Sequence, residues 1–118
     1  MGYAMAKYEC RLTGDFNAVL RVIEDGILRG SLSATLEDSS NFIADDVICA
    51  VRVFERYSMI GSNRVSLSVT LLGKGNELQL SAITAGGSQA MFFKINTLGE
   101  EAFLSCLKDV VNGYLRRV

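Results

Sequence analysis

The chain has no histidine, no proline and no tryptophan. Without histidine there is no Ser-His-Asp or Cys-His nucleophile machinery, no imidazole metal ligand and no ordinary general base near neutral pH. An enzyme made from this chain would have to work with carboxylates, lysine, tyrosine or a cofactor. Without proline, nothing reads as a rigid linker or a Pro-rich recognition segment. No apolar run approaches the roughly 20 residues of a membrane-spanning helix. There is also little excess charge, with 12 basic against 13 acidic residues and a net charge of −1. Nucleic-acid binding depends on clustered Lys and Arg that displace counterions. The densest basic groups here are Arg52, Arg56 and Arg64, and the pair Arg116-Arg117. They read as a solvated strand face and a helix C-terminus that favours cations.

Cysteine is sparse too: Cys10, Cys49 and Cys106, an odd number at wide spacing. That is neither a disulfide framework nor a metal motif. Each lies in an apolar stripe and reads as a small buried hydrophobe with a free thiol. Free thiols point to a reducing compartment, so a cytoplasmic protein is expected. The N-terminus has no apolar core of a secretory signal. Its Met1-Gly2 start lacks the Ser or Thr that a myristoylation signal wants, since Ala6 stands there. Residues 1–6 read as a leader and 7–118 as one domain.

What is present suits such a domain. The 118 residues are 49% apolar and 21% charged, close to the globular average and far from a disordered composition. Lys7 to Leu12 alternate strictly, with Tyr8, Cys10 and Leu12 on one face, as in a half-buried strand. Asp15 is placed to cap a helix whose apolar face is Phe16, Val19, Leu20, Ile23 and Ile27. Gly26 weakens its last turn and Gly30 can end it. Ser31 to Asp38 reads as a strand, Asp38 to Asn41 as a turn with Phe42 and Ile43 packed beside it, and Asp45-Asp46 as the turn before the next strand. Strands follow over Asp46 to Tyr57, Arg64 to Leu72 and Glu77 to Ala85, with a hairpin turn at Gly73-Lys74-Gly75-Asn76. Gly86-Gly87 reads as a bend, Gln89 to Ile95 as a short extra strand. Thr97 and Glu100 have capping-box spacing. Phe103, Cys106, Leu107, Val110, Val111, Tyr114 and Val118 then predict a long closing helix.

The expected class is α+β: β-α-β4(5)-α, an antiparallel meander with two helices on one face and a long C-terminal helix. In element order this resembles the core of TATA-binding-protein-like folds and of the Bet v 1/START helix-grip family. The stretches "AKYECRLTGDFNAVL", "NRVSLSVTLLG" and "SAITAGGSQAMFFKINTLGEEAFL" also resemble a small bacterial family of uncharacterised proteins. The second resemblance implies no activity, and neither assigns any residue a role. Helix-grip proteins commonly hold an apolar ligand between sheet and last helix. This chain lacks the inserted elements that enlarge that space. DNA binding on a concave sheet face wants Arg, Lys and apolar wedges. Here that face carries Glu9, Ser66, Ser68, Thr70, Glu77 and Gln79.

Three functional readings compete. In the first, a small hydrophobic ligand sits between the sheet and the C-terminal helix. Val47, Cys49, Val51 and Val53 are taken as the inward face of their strand. Glu55 and Tyr57 continue that register and join Phe103, Leu107 and Tyr114 as candidate ligand-binding residues. In the second, the chain is a protein-interaction or homodimer module whose outward sheet face carries Ile48, Phe54 and Ile83, with Arg52 at the rim. In the third it is an enzyme using Asp45-Asp46, Glu55, Tyr57, Lys94 or Glu100-Glu101. Carboxylates adjacent on a strand point to opposite faces, so those pairs make poor joint sites. No catalytic motif, metal site or cofactor motif is present, and no nucleic acid or membrane is expected as a partner.

Overall fold

The computed structural model describes residues 5–30, 33–58, 63–86 and 107–114. Their order is β1 (Met5–Thr13), α1 (Phe16–Gly30), β2 (Thr35–Ala44), β3 (Val47–Ser58), β4 (Asn63–Lys74) and β5 (Glu77–Gly86). A helix over residues 107–114, here α2, follows. The strands form one antiparallel sheet in the order β1-β5-β4-β3-β2. The meander β2 to β5 pairs in succession, and β1 closes against β5 at the far edge. This is the expected α+β topology. The expected long C-terminal helix is not supported: among the described residues this helix is eight residues. Gln89 to Ile95, the capping box, Phe103, Cys106 and Arg116-Arg117 lie outside the described residues.

Local chemistry explains α1. Asp15 caps it, its carboxylate accepting the Ala18 N–H at 2.9 Å. Phe16, Val19, Leu20, Ile23 and Ile27 are all buried, the face predicted from their spacing. Gly26 has a use that propensity does not suggest. A side chain there would place its Cβ 2.4 Å from Val110, so the missing methyl is what lets α2 cross α1 closely. Gly73 serves similarly on β4, where the Phe16 ring occupies the space of a Cβ. The turn before α1 is tied to the β4–β5 hairpin by the Gly14 N–H, which donates to the Asn76 carbonyl at 3.0 Å.

One face of the sheet carries the core. It is built from Leu12, Ala50, Phe54, Val65, Leu67, Val69, Leu71, Leu78, Leu80 and Ala82, with Leu107 and Val111 of α2 and the α1 face above. Thr84 is buried among them, its hydroxyl donating to the Ala6 carbonyl at 3.4 Å. β1 begins at Met5.

Two strand expectations are corrected. β2 runs on through Asp38-Ser39-Ser40-Asn41, which is strand with a register shift between Leu36 and Asp38 rather than a turn. The turn is at Asp45-Asp46, with Asp45 in the left-handed region at φ 58. The polar residues fit a strand because β2 is an edge: all ten of its residues are exposed, and edge strands carry charges and bulges that discourage further pairing. On β3 the two faces are exchanged. Ala50, Arg52 and Phe54 point under the helices, and Cys49, Val51 and Val53 lie half-buried on the other side.

Candidate functional site

The exchange on β3 redistributes both candidate sites. Phe54 is 0% exposed, and Ile48 packs against the core. Arg52 is also under the helices, at 9% exposure. A buried guanidinium needs partners. Its Nε donates to the Glu24 carboxylate of α1 at 2.5 Å, and Nη1 donates to the Ser40 and Val51 carbonyls at 3.2 and 3.0 Å. These bonds fasten α1 to the β2–β3 side of the sheet. Of the interface set Ile48, Arg52, Phe54 and Ile83, only Ile83 faces away from the helices, at 38% exposure.

The ligand set is divided as well. Glu55 and Tyr57 lie on the face opposite the helices, where Glu55 accepts from Arg64 Nε at 2.9 Å. Leu107 is fully buried beneath α2. Tyr114 is half-buried, its hydroxyl occupying the space that a Cβ on Gly14 would need. Phe103 lies outside the described residues. The four described residues therefore do not converge on one chamber. Beside Tyr114, a groove of about 340 Å³ runs between α1 and α2 past Asp25, Arg29 and Asp109. On β1, Tyr8 lies beneath Lys108 of α2, the ammonium 5.4 Å from the ring centre. Burial, and then a hydrogen bond with Cys10, raise the Tyr8 pKa.

Among the described residues, strand pairing sets out the open face of the sheet as ordered rows of side chains. Its rows follow from the ladder registers. One runs Asp38, Val53, Ser68, Ile83, Lys7; the next Ser40, Val51, Thr70, Ser81, Glu9; the third Phe42, Cys49, Leu72, Gln79, Arg11. Phe42 is 58% exposed and Leu72 37%. Around Leu72 a shallow cleft of about 500 Å³ includes Cys49, Thr70, Gln79, Ser81, Glu9 and Arg11 in its walls. The Ser81 hydroxyl donates to Glu9 at 3.4 Å. The surface is thus apolar along β3 and hydrogen-bonding along β4 and β5, with alternating charge on β1. Among the described residues, no three Cys, Asp or Glu side chains are grouped to hold a metal ion. Nor is any helix there long and apolar enough to cross a membrane.

The spacing places Ser66, Ser68, Thr70, Glu77, Gln79, Ile83 and Glu9 on this face, but misses Phe42, Cys49, Val51 and Val53. Each face of β3 carries one aromatic, Phe54 on one and Tyr57 on the other, and both faces are apolar, so the strand's own pattern gave no signal for which side is covered.

Residues 5–115 match the profile of a family of unknown function, DUF6054. The chain belongs to that family. This member matches no curated protein. Among solved structures it is similar to a hypothetical protein of Helicobacter pylori, at 9% identity and TM-score 0.48, covering 87% of this chain and 84% of that one. It is also similar to a Mesorhizobium loti protein, at 13% identity and TM-score 0.49, covering 92% and 96%. A ginseng major latex-like protein from Panax ginseng is similar at 8% identity and TM-score 0.31, covering 94% and 97%. None of the three bears on activity.

Proposed function

We propose that this chain is a non-catalytic, cytoplasmic protein-interaction module whose docking surface is the open face of its sheet. The observation that carries this reading is the contiguous surface of Phe42, Cys49, Val51, Val53, Leu72 and Ile83, which lies on the side of the sheet away from α1 and α2. Scattered apolar residues are ordinary, whereas a contiguous exposed patch marks an interface. Thr70, Ser81 and Gln79 beside it supply hydrogen-bonding groups, and Glu9, Arg11 and Lys7 a charged rim, the usual anatomy of such a surface. A small ligand between the sheet and the C-terminal helix loses support, because Glu55 and Tyr57 leave that space and Leu107 fills part of it.

Cys49 sits inside the surface and reports on it directly. Its rate of thiol alkylation is measured in intact cells and in dilute purified protein, with peptide mapping to separate it from Cys10 and Cys106. The proposal expects alkylation in cells to be slower by about tenfold, the mark of a covered thiol. Equal rates would overturn it. Native mass spectrometry then separates a protein partner from a small ligand by the mass added.

A further inference from the structure

We propose that the partner on the open face is a second copy of the chain, related by a twofold axis lying along β4. This rests on the interaction reading above and adds the identity and orientation of the partner. The strand order makes β4 the centre of the sheet, with β5 and β1 on one side and β3 and β2 on the other. A twofold along β4 therefore lays the β2 edge of one copy over the β1 edge of the other, in an interface that uses the same patch twice.

The rows fold onto themselves with complementary chemistry. In the first row Asp38 meets Lys7, Val53 meets Ile83, and Ser68 lies over Ser68. In the second Ser40 meets Glu9 as a hydroxyl donor to a carboxylate, and Val51 meets Ser81. In the third Phe42 meets Arg11, a cation over an aromatic face, and Cys49 meets Gln79, while Leu72 packs on Leu72 at the axis. Lys74 and Arg64 lie on the axis at its two ends, and the opposite charge is supplied within each copy by Glu77 beside Lys74 and by Glu55 bound to Arg64. Stacked sheets keep their strands within about 30°, an offset that the long Lys7 and Arg11 side chains can span. Five strands about 4.8 Å apart and ten residues long at about 3.3 Å each cover about 800 Å² per partner, the size of a standard specific interface.

Sedimentation equilibrium on the full chain, over micromolar to near-millimolar concentration, tests the arrangement. The variants are Lys7→Glu, Asp38→Lys and the two combined, each checked for an unchanged circular dichroism spectrum. Lys7 and Asp38 are both exposed, so folding is not at stake. The wild type is expected to be a dimer. Each single reversal replaces two attractions by two repulsions and weakens association about tenfold, and the double reversal restores it. Singles and double that all match wild type, or a double that fails to recover, would overturn the proposed orientation. A wild type that stays monomeric throughout would overturn the second copy itself. If Cys49 is nevertheless protected in cells, the interaction reading stands with a different protein as partner; if it is not, both readings fall together.

Discussion

The two faces of this sheet are made from the same strands and have different fates. On β4 the difference is written in chemistry: Val65, Leu67, Val69 and Leu71 lie under the helices, and Ser66, Ser68 and Thr70 alternate with them outside. On β3 it is not. Ala50 and Phe54 go in, yet Cys49, Val51 and Val53 are as apolar and stay half-uncovered. A strand whose two faces are both apolar can supply a core and a binding surface at once. The comparison teaches that the functional candidate lies where alternation fails, and that the covered face spends its polar exceptions, Arg52 and Thr84, on fixed internal partners.

Substitutions matched across the faces put that contrast at risk. The largest effect is expected at Phe54. Phe54→Ala lowers unfolding free energy by about 3–5 kcal/mol, and Phe54→Glu abolishes the cooperative transition. Phe42→Ala on the open face stays within about 0.5 kcal/mol in dilute solution. Urea denaturation of the three variants reads this, and comparable losses at Phe42 and Phe54 would erase the distinction. Next come the ion pairs. Glu24→Ala deprives buried Arg52 of its carboxylate and costs about 2 kcal/mol. Glu55→Ala breaks the more exposed pair with Arg64 and costs under about 1 kcal/mol by the same measurement.

The helix crossing gives a smaller effect that depends on the neighbour. Gly26→Ala pushes a methyl against Val110 and destabilises by about 1–2 kcal/mol. In a Val110→Ala background the γ-methyl clashes are gone and only the Cβ of residue 110, at 3.1 Å, crowds the new methyl, so helix propensity offsets most of the cost and the same change stays within about 0.5 kcal/mol. The smallest effect is alkaline. The raised Tyr8 pKa means that the folded protein holds this proton more tightly than the unfolded chain. Its contribution to stability is complete below the ordinary tyrosine value of about 10 and is lost as pH rises through the folded value. Tyr8→Phe should flatten the decline of melting temperature above pH 10.

Much of the fold was legible in the chain, for physical reasons. α1 followed from an Asp cap and five apolar residues at helical spacing. β1, β4 and β5 followed from strict alternation, because a small side chain or charge on every second residue leaves one choice of inward face. β2 was obscured because an edge strand exposed on both sides has no core pattern to impose, so Asp38-Ser39-Ser40-Asn41 looked like a turn. β3 was reversed because its arginines suggested an outward face. Neither the sequence of β3 nor that of α1 alone announces that Glu24 will reach across to Arg52. With Arg52 partnered on that side, Phe54 lies in the core rather than at the interface, and Glu55 and Tyr57 lie outside the ligand chamber. Gly26 carried a packing role that only the approach of Val110 reveals.

The most direct test of a closed face and a docking face is Leu72→Glu. Leu72 lies on the open face, at the proposed axis, and its β4 neighbour Leu71 is fully buried on the other side. Sedimentation velocity, with urea denaturation of the same samples at low concentration, is the measurement. The account predicts a dimeric wild type, a monomeric Leu72→Glu and the same denaturation midpoint for both when dilute. An unfolded Leu72→Glu, or one that still associates like the wild type, would contradict it.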